Sequence, residues 1–129
     1  MTARPWHNEY DDGVPFDIEW ERMRLDQLLR RTARAHPEHT AIVFYDRTIS
    51  YRELDGLVDR LAATLQDLGV GPGDRVSLFM PNCPQVIVAY HAAWRAGAIV
   101  VPSNPLYTAA EFAHQTADAG SKVAIVLSL

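Results

Sequence analysis

Apolar residues recur along this chain at helical spacing in several stretches, with short unbroken apolar runs between them. Leu25, Leu28, Leu29 and Ala33 stand at i, i+3, i+4 and i+8 and so share one face of a helix. Arg30, Arg31 and Arg34 lie mostly off that face, and His36-Pro37 stops the helix because proline disfavours helical geometry in the residue before it. Residues 41–45 and 48–50 read as two β runs, and the pair between them, Asp46-Arg47, predicts a hairpin turn. Ser50-Tyr51-Arg52-Glu53 then forms a capping box, with Ile49 and Leu54 spaced as its hydrophobic staple. Leu54, Leu57, Val58, Leu61, Leu65 and Leu68 continue as one apolar stripe. Gly69 supplies the left-handed position that ends the helix, and Val70 closes over Leu65.

The period changes after the turn Gly71-Pro72-Gly73-Asp74. Residues 76–80 form an apolar run suited to a strand covered on both faces. Asn82 is placed to cap the next helix, with Pro84 in its first turn, where a missing N–H costs little. That helix runs to Ala96 and stops at Gly97; Ala89, Ala92, Ala93 and Ala96 let it approach a sheet closely. Residues 99–101 form a buried strand, Thr108-Ala109-Ala110-Glu111 is a second capping box with Tyr107 and Phe112 as staple, and Gly120 ends that helix. A last apolar strand occupies residues 122–129, and its composition predicts a mid-sheet position with further structure after it, hence a truncated chain. Strand, helix, strand, helix, strand implies an α/β fold: a partial three-layer sandwich whose mainly parallel sheet is flanked by helices, preceded by a β-hairpin and an N-terminal arm.

The arm, residues 1–24, has no period. It carries Trp6, Tyr10, Phe16 and Trp20, together with six acids against three arginines, whereas residues 25–129 hold ten acids against nine bases. Its rings need cover, either from its own domain or from a second subunit, and a homodimer contact is the expectation. Across all 129 residues the net charge is −4, so no global field favours nucleic acid or an anionic membrane. The single cysteine, Cys83, excludes an internal disulfide, and no apolar run is long enough for a signal peptide or a membrane span, so a cytoplasmic protein is expected.

Candidate chemistry is sparse. Gly69, Gly71 and Gly73 could suggest a phosphate loop, but such a loop leaves a strand and opens a helix, and this one does the reverse. His36 and His39 flank a helix-breaking proline, with no cysteine or acid at ligand spacing. His91 and His114 read as packed or surface histidines, and Cys83, near a helix start, lacks an identifiable base. Asp55, Asp59 and Asp67, interleaved with Arg52 and Arg60, read as a solvated helix face with i,i+4 pairs. No catalytic, cofactor-binding or metal-ligating residue is assigned.

Three stretches resemble the adenylate-forming superfamily of acyl-CoA synthetases, luciferases and peptide-synthetase adenylation domains. Ile49-Ser50-Tyr51-Arg52-Glu53-Leu54, continued by Gly73-Asp74-Arg75-Val76, is similar to its first core motif, and Trp94-Arg95-Ala96-Gly97-Ala98-Ile99-Val100-Val101-Pro102 to its second. Asn104-Pro105-Leu106-Tyr107-Thr108, with Glu111, His114-Gln115 and Ala119-Gly120-Ser121-Lys122, resembles the wording of the long- and medium-chain fatty acyl-CoA ligase branch. Pro81-Asn82-Cys83-Pro84-Gln85 and the opening Pro5-Trp6 are similar to that branch as well.

The resemblance implies that residues 25–129 are the N-terminal part of a large AMP-binding domain. In the complete enzyme a fatty acid would be adenylated with ATP and Mg2+ and then transferred to CoA. An aryl-CoA or fatty-acyl-AMP ligase, or a free-standing interaction module, are the alternatives. The family's phosphate loop, its ribose-binding acid and its adenylation lysine would all follow residue 129. This chain alone is therefore expected to be inactive, a scaffold with no bound cofactor.

Overall fold

A computed structural model describes residues 4–127. A short 3-10 helix, Pro5–Glu9, lies in the arm, followed by α1 (Leu25–Ala35), β1 (Thr40–Phe44), β2 (Arg47–Ser50) and α2 (Tyr51–Asp67). Then come β3 (Arg75–Phe79), α3 (Pro84–Arg95), β4 (Ile99–Ser103), α4 (Ala109–Ala119) and β5 (Ser121–Val126).

β1 and β2 form the antiparallel hairpin, and β3 sits between β4 and β5 in a parallel sheet of order β4-β3-β5. The connection β3-α3-β4 moves one way across the sheet, and β4-α4-β5 returns past β3 the other way. Right-handed crossovers running in opposite directions place their helices on opposite faces. The packing agrees. Val76 and Leu78 join Ala89, Ala92, Val58 and Leu65 in one buried cluster beneath α3 and α2. On the other face Phe79 meets Phe112 of α4, ring centroids 4.5 Å apart. This is the helix–sheet–helix sandwich that the strand–helix alternation implies, with α1 packed outside α2 and α3.

Both long central helices end alike. Past α2 the Gly69 N–H donates to the Gln66 carbonyl (2.8 Å) and Val70 to Leu65 (2.9 Å). Past α3, Gly97 donates to Trp94 (3.0 Å) and Ala98 to Ala93 (2.8 Å). Each is the paired bonding of a Schellman cap, with the glycine in the left-handed region. Gly97 carries a second constraint: a Cβ there would lie 3.2 Å from the Pro72 backbone. Gly97→Ala is expected to lower stability by more than Gly73→Ala, since Gly73 has a similar φ (+86° for both) but open space around it. The conformational part common to both is about 1–2 kcal/mol. Parallel urea titrations would measure the difference.

Several local expectations are corrected. The hairpin turn is Tyr45-Asp46, not Asp46-Arg47: Arg47 pairs with Phe44 across the ladder, and Tyr45 takes the left-handed conformation (φ 50°) that the tight reversal needs. The residue at the N-cap of α3 is Cys83 rather than Asn82. Leu25, Leu28 and Leu68 are exposed although each continues an apolar stripe, and Leu57 and Leu61 are half-buried. Among the described residues β5 starts at Ser121 and runs along one side of the sheet with side chains alternating between half-buried and exposed, and residues 128–129 of the expected last strand lie outside them.

No helix among the described residues is long and apolar enough to cross a membrane. The rings of the arm stack on one another, His7 against Phe16 at 4.6 Å and Tyr10 against Phe16 at 5.8 Å, and most stay open to solvent. Among the described residues little covers Trp6, Phe16 and Trp20.

Candidate functional site

The two ends of the parallel sheet differ in character. At the N-terminal ends of its strands, glycine turns and one lysine form a clasp. Asp74 follows the turn out of α2, and its Oδ2 accepts from the Gly71 N–H (2.8 Å) and from Lys122 Nζ (2.8 Å). Lys122 also donates to the Gly69 carbonyl (2.5 Å). The backbone closes the same corner, since Gly73 donates to the Gly97 carbonyl and Ile99 to that of Asp74. Lys122 reaches this position because β5 bulges there: Ser121 pairs with Arg75 and Val123 with Val76, which leaves Lys122 as the extra residue. The clasp thus ties the C-terminus of α2 to the starts of all three strands.

Its chemistry is structural. The Gly71 N–H, which a phosphate would need, already binds Asp74, and the glycines leave a helix for a strand. The hydrogen bond from Lys122, then that from Gly71, holds the Asp74 carboxyl below its ordinary range. The unfolded chain therefore binds that proton more readily than the folded chain. The stabilisation is complete above the ordinary carboxylate pKa and is lost as pH falls below about 4. Asp74→Asn is expected to flatten the acid limb of the stability curve, read from thermal midpoints between about pH 3 and 6.

At the C-terminal ends of the strands, where open α/β sheets usually bind ligands, lies an apolar groove of about 370 Å³. Ile49, Leu57, Leu61, Met80, Val88 and Ile125 are among the residues that line it. A recess of about 550 Å³ beneath the hairpin, walled by Phe44, Tyr45 and Arg47, shares Ile49, Leu57, Pro84 and Gln85 with it. The residues present suit apolar contact. They carry no set of donors for ATP phosphates, and the described residues contain no group of three or more histidines, cysteines or acids able to hold a metal.

The other candidates take structural places. His36 and His39 stack ring on ring at 4.8 Å. Cys83 is half-buried and free, and His114 is exposed. His91 is half-buried; burial first, and the charge of Arg95 second, lower its pKa. Asp55 and Asp59 do not form a solvated face with Arg52 and Arg60. Arg95 of α3, its side chain only 7% exposed, donates to Asp55 Oδ1 (2.6 Å), to the Asp55 carbonyl (3.2 Å) and to Asp59 Oδ1 (2.8 Å). Arg30 of α1 also reaches Asp59 (2.7 Å), so three helices share one ionic network, while Arg52 pairs with Glu38. Asp26, 3% exposed, is held ionised first by its bond from Arg24 and also by the field of Arg95.

Sequence reasoning named neither Arg95 nor Lys122 as a working residue. For Lys122 a signal existed: it is the only lysine beside eleven arginines.

The loop after β4 completes the picture. Asn104 Oδ1 accepts from the Leu106 N–H (3.0 Å), the Asn104 carbonyl accepts from Tyr107 (3.0 Å), and Thr108 caps α4 by exchanging bonds with Glu111. The stretch is thus a turn and helix cap that carries the chain over the strand ends. Residues 29–128 match the family described as AMP-binding enzyme. The chain belongs to that family. Over all its residues it is 38% identical to a long-chain-fatty-acid–CoA ligase of Bacillus subtilis, of which it spans 23%. A Mycobacterium tuberculosis fatty acyl CoA synthetase superposes with a TM-score of 0.75 at 34% identity, over 80% of this chain and 21% of that one. The N-terminal subdomain of Klebsiella oxytoca NpsA, bound to anthranilyl-AMSN, gives 0.75 at 26% identity over 80% and 27%. The chain therefore spans about a quarter of the curated relative. The clasp residues Gly69, Gly71, Asp74 and Lys122 all lie within the matched residues.

Proposed function

We propose that this chain is the N-terminal part of an ATP-dependent long-chain fatty acid–CoA ligase acting in the cytoplasm. Residues 25–129 form the first part of its large AMP-binding domain, and residues 1–24 an arm that contacts a second copy. In the whole enzyme the carboxylate attacks the α-phosphate of ATP with Mg2+ present, pyrophosphate leaves, and the CoA thiol then displaces AMP. None of these groups finds a fitting donor set among the described residues, and the task we assign to them is mechanical. The clasp and the three-helix ionic network hold the parallel strands in register.

The observation that carries the ligase reading is the extent of the Bacillus subtilis match. It runs through the arm as well, outside the residues that define the family. A second reading, an enzyme of aromatic acids, is favoured by the fold shared with NpsA bound to anthranilyl-AMSN.

ATP–pyrophosphate exchange tests both. The chain alone is expected to give none. A chimaera in which it replaces the matching segment of the Bacillus subtilis ligase is expected to exchange with long-chain fatty acids. Exchange by the chain alone, or a folded but inactive chimaera, overturns the proposal; a chimaera that newly prefers benzoate-type acids supports the second reading.

A further inference from the structure

We propose that His91 is a proton-sensitive latch on the junction of α1, α2 and α3: protonating its ring loosens the grip of Arg95 on Asp55 and Asp59. His91 and Arg95 stand one helical turn apart on α3, the spacing at which like charges on a helix repel. Each side chain holds a buried polar atom with no hydrogen-bond partner among the described residues, Nδ1 of His91 and Nε of Arg95. The ring is half-buried and stands edge-to-face with Trp94, centroids 5.2 Å apart. In the imidazolium both ring nitrogens carry protons. Nδ1 then becomes a buried donor without an acceptor, which is costly. The new charge also lies one turn from a guanidinium whose side chain is only 7% exposed.

The charges around the ring come from three helices. Arg95 of α3 and Asp55 of α2 act on it directly. Behind them, Asp59 of α2 accepts from Arg95, Arg30 of α1 reaches Asp59, and Asp26 of α1 feels the field of Arg95. The strands β3 and β4, on which α3 also packs, add no charge to this field. Burial, first, and Arg95, second, disfavour the protonated ring, and the opposing attraction of Asp55 is the smallest of the three. Asp55 is already engaged, since its Oδ1 accepts from Arg95 at 2.6 Å. A protonated ring therefore repels Arg95 and competes with it for that carboxylate, and both effects weaken the contact between α2 and α3.

The folded chain thus binds this proton less readily than the unfolded chain. The stabilisation from a neutral His91 is complete above the ordinary histidine pKa and is lost as pH falls below about 6.5. The lowered carboxyls of Asp26 and Asp74 give up theirs only below about 4. The two acid steps are therefore separate, and the one at His91 is the step that a mild fall in pH reaches.

The test is urea unfolding of the chain at about pH 7.5 and about pH 5.5, for the wild type and for His91→Gln. On acidification the unfolding constant of the wild type is expected to rise more than about twofold further than that of the variant. The ceiling is about tenfold, set by a ring that stays neutral throughout the folded state. A smaller difference overturns the proposal. A second measurement needs no substitution: nitrogen NMR of the His91 ring and of Arg95 Nε in the folded wild type over the same range. The ring is expected to titrate below about pH 6.5, and the Arg95 signal to move at the same midpoint. A ring that titrates at or above that value, or an Arg95 signal that stays still while the ring titrates, overturns the proposal as well.

Discussion

Truncating Leu65 to alanine is expected to cost about 2–5 kcal/mol of folding stability, and truncating Leu68 less than about 0.5 kcal/mol. Both leucines lie on the same stripe of the sequence. Leu65 is 1% exposed, packed in the cluster with Val58, Ala62 and Leu78, and its carbonyl receives the Val70 N–H that closes the helix. Removing its side chain opens a cavity in a cluster whose alanine-lined helix has little room to relax. Leu68 is 60% exposed, because the helix ends at that residue and the chain turns beneath it at Gly69. Urea titration of both variants decides the matter. Equal losses would mean that α2 is rotated from the position described.

Arg95→Ala is expected to be nearly as costly, about 2–4 kcal/mol. Removing one partner of a fully buried pair costs about 3–5 kcal/mol, and the half-exposed Asp59 (53%) reduces that figure through solvent screening. Without the guanidinium, Asp55 and Asp59 face each other on α2 with Arg30 alone to answer them, and Asp26 loses a stabilising field. Two readouts separate this from simple loss of packing. The loss should shrink towards low pH, as Asp26, whose carboxyl Arg95 helps to hold below its ordinary range, protonates. The pKa of His91 should rise, because Arg95 is one of the two causes that hold it down. An unchanged His91 titration in a folded variant would show that Arg95 does not act through its charge.

The contrast between these two residues marks how far the sequence could be read. The capping boxes at Ser50 and Thr108 and the glycine stops at Gly69, Gly97 and Gly120 were legible because each depends on residues within one helical turn. The same holds for the alternation of strands and helices, and therefore for the parallel sheet. The hairpin turn slipped by one residue because neither Tyr45-Asp46 nor Asp46-Arg47 is a pair that strongly favours a tight reversal. The position was settled by the Phe44–Arg47 pairing.

The ionic network and the clasp were illegible for a different reason. Arg95 meets partners 36 and 40 positions away, and Lys122 meets Asp74 across 48. No local spacing rule links them. Asp55 and Asp59 looked like members of a solvated face because their nearest arginines in sequence were the only candidates a helical wheel could offer.

The local sequence, then, determined which segments become helix or strand, where each helix starts and stops, and so an α/β layering with parallel strands. Those outcomes follow from backbone hydrogen bonding and periodicity over a few residues. Tertiary structure alone decided which leucines of a stripe are core, which charges are paired and, among the described residues, that β3 lies between β4 and β5 and that an apolar groove forms at the strand ends. Those outcomes depend on distant segments meeting in space, and on the water that their meeting excludes.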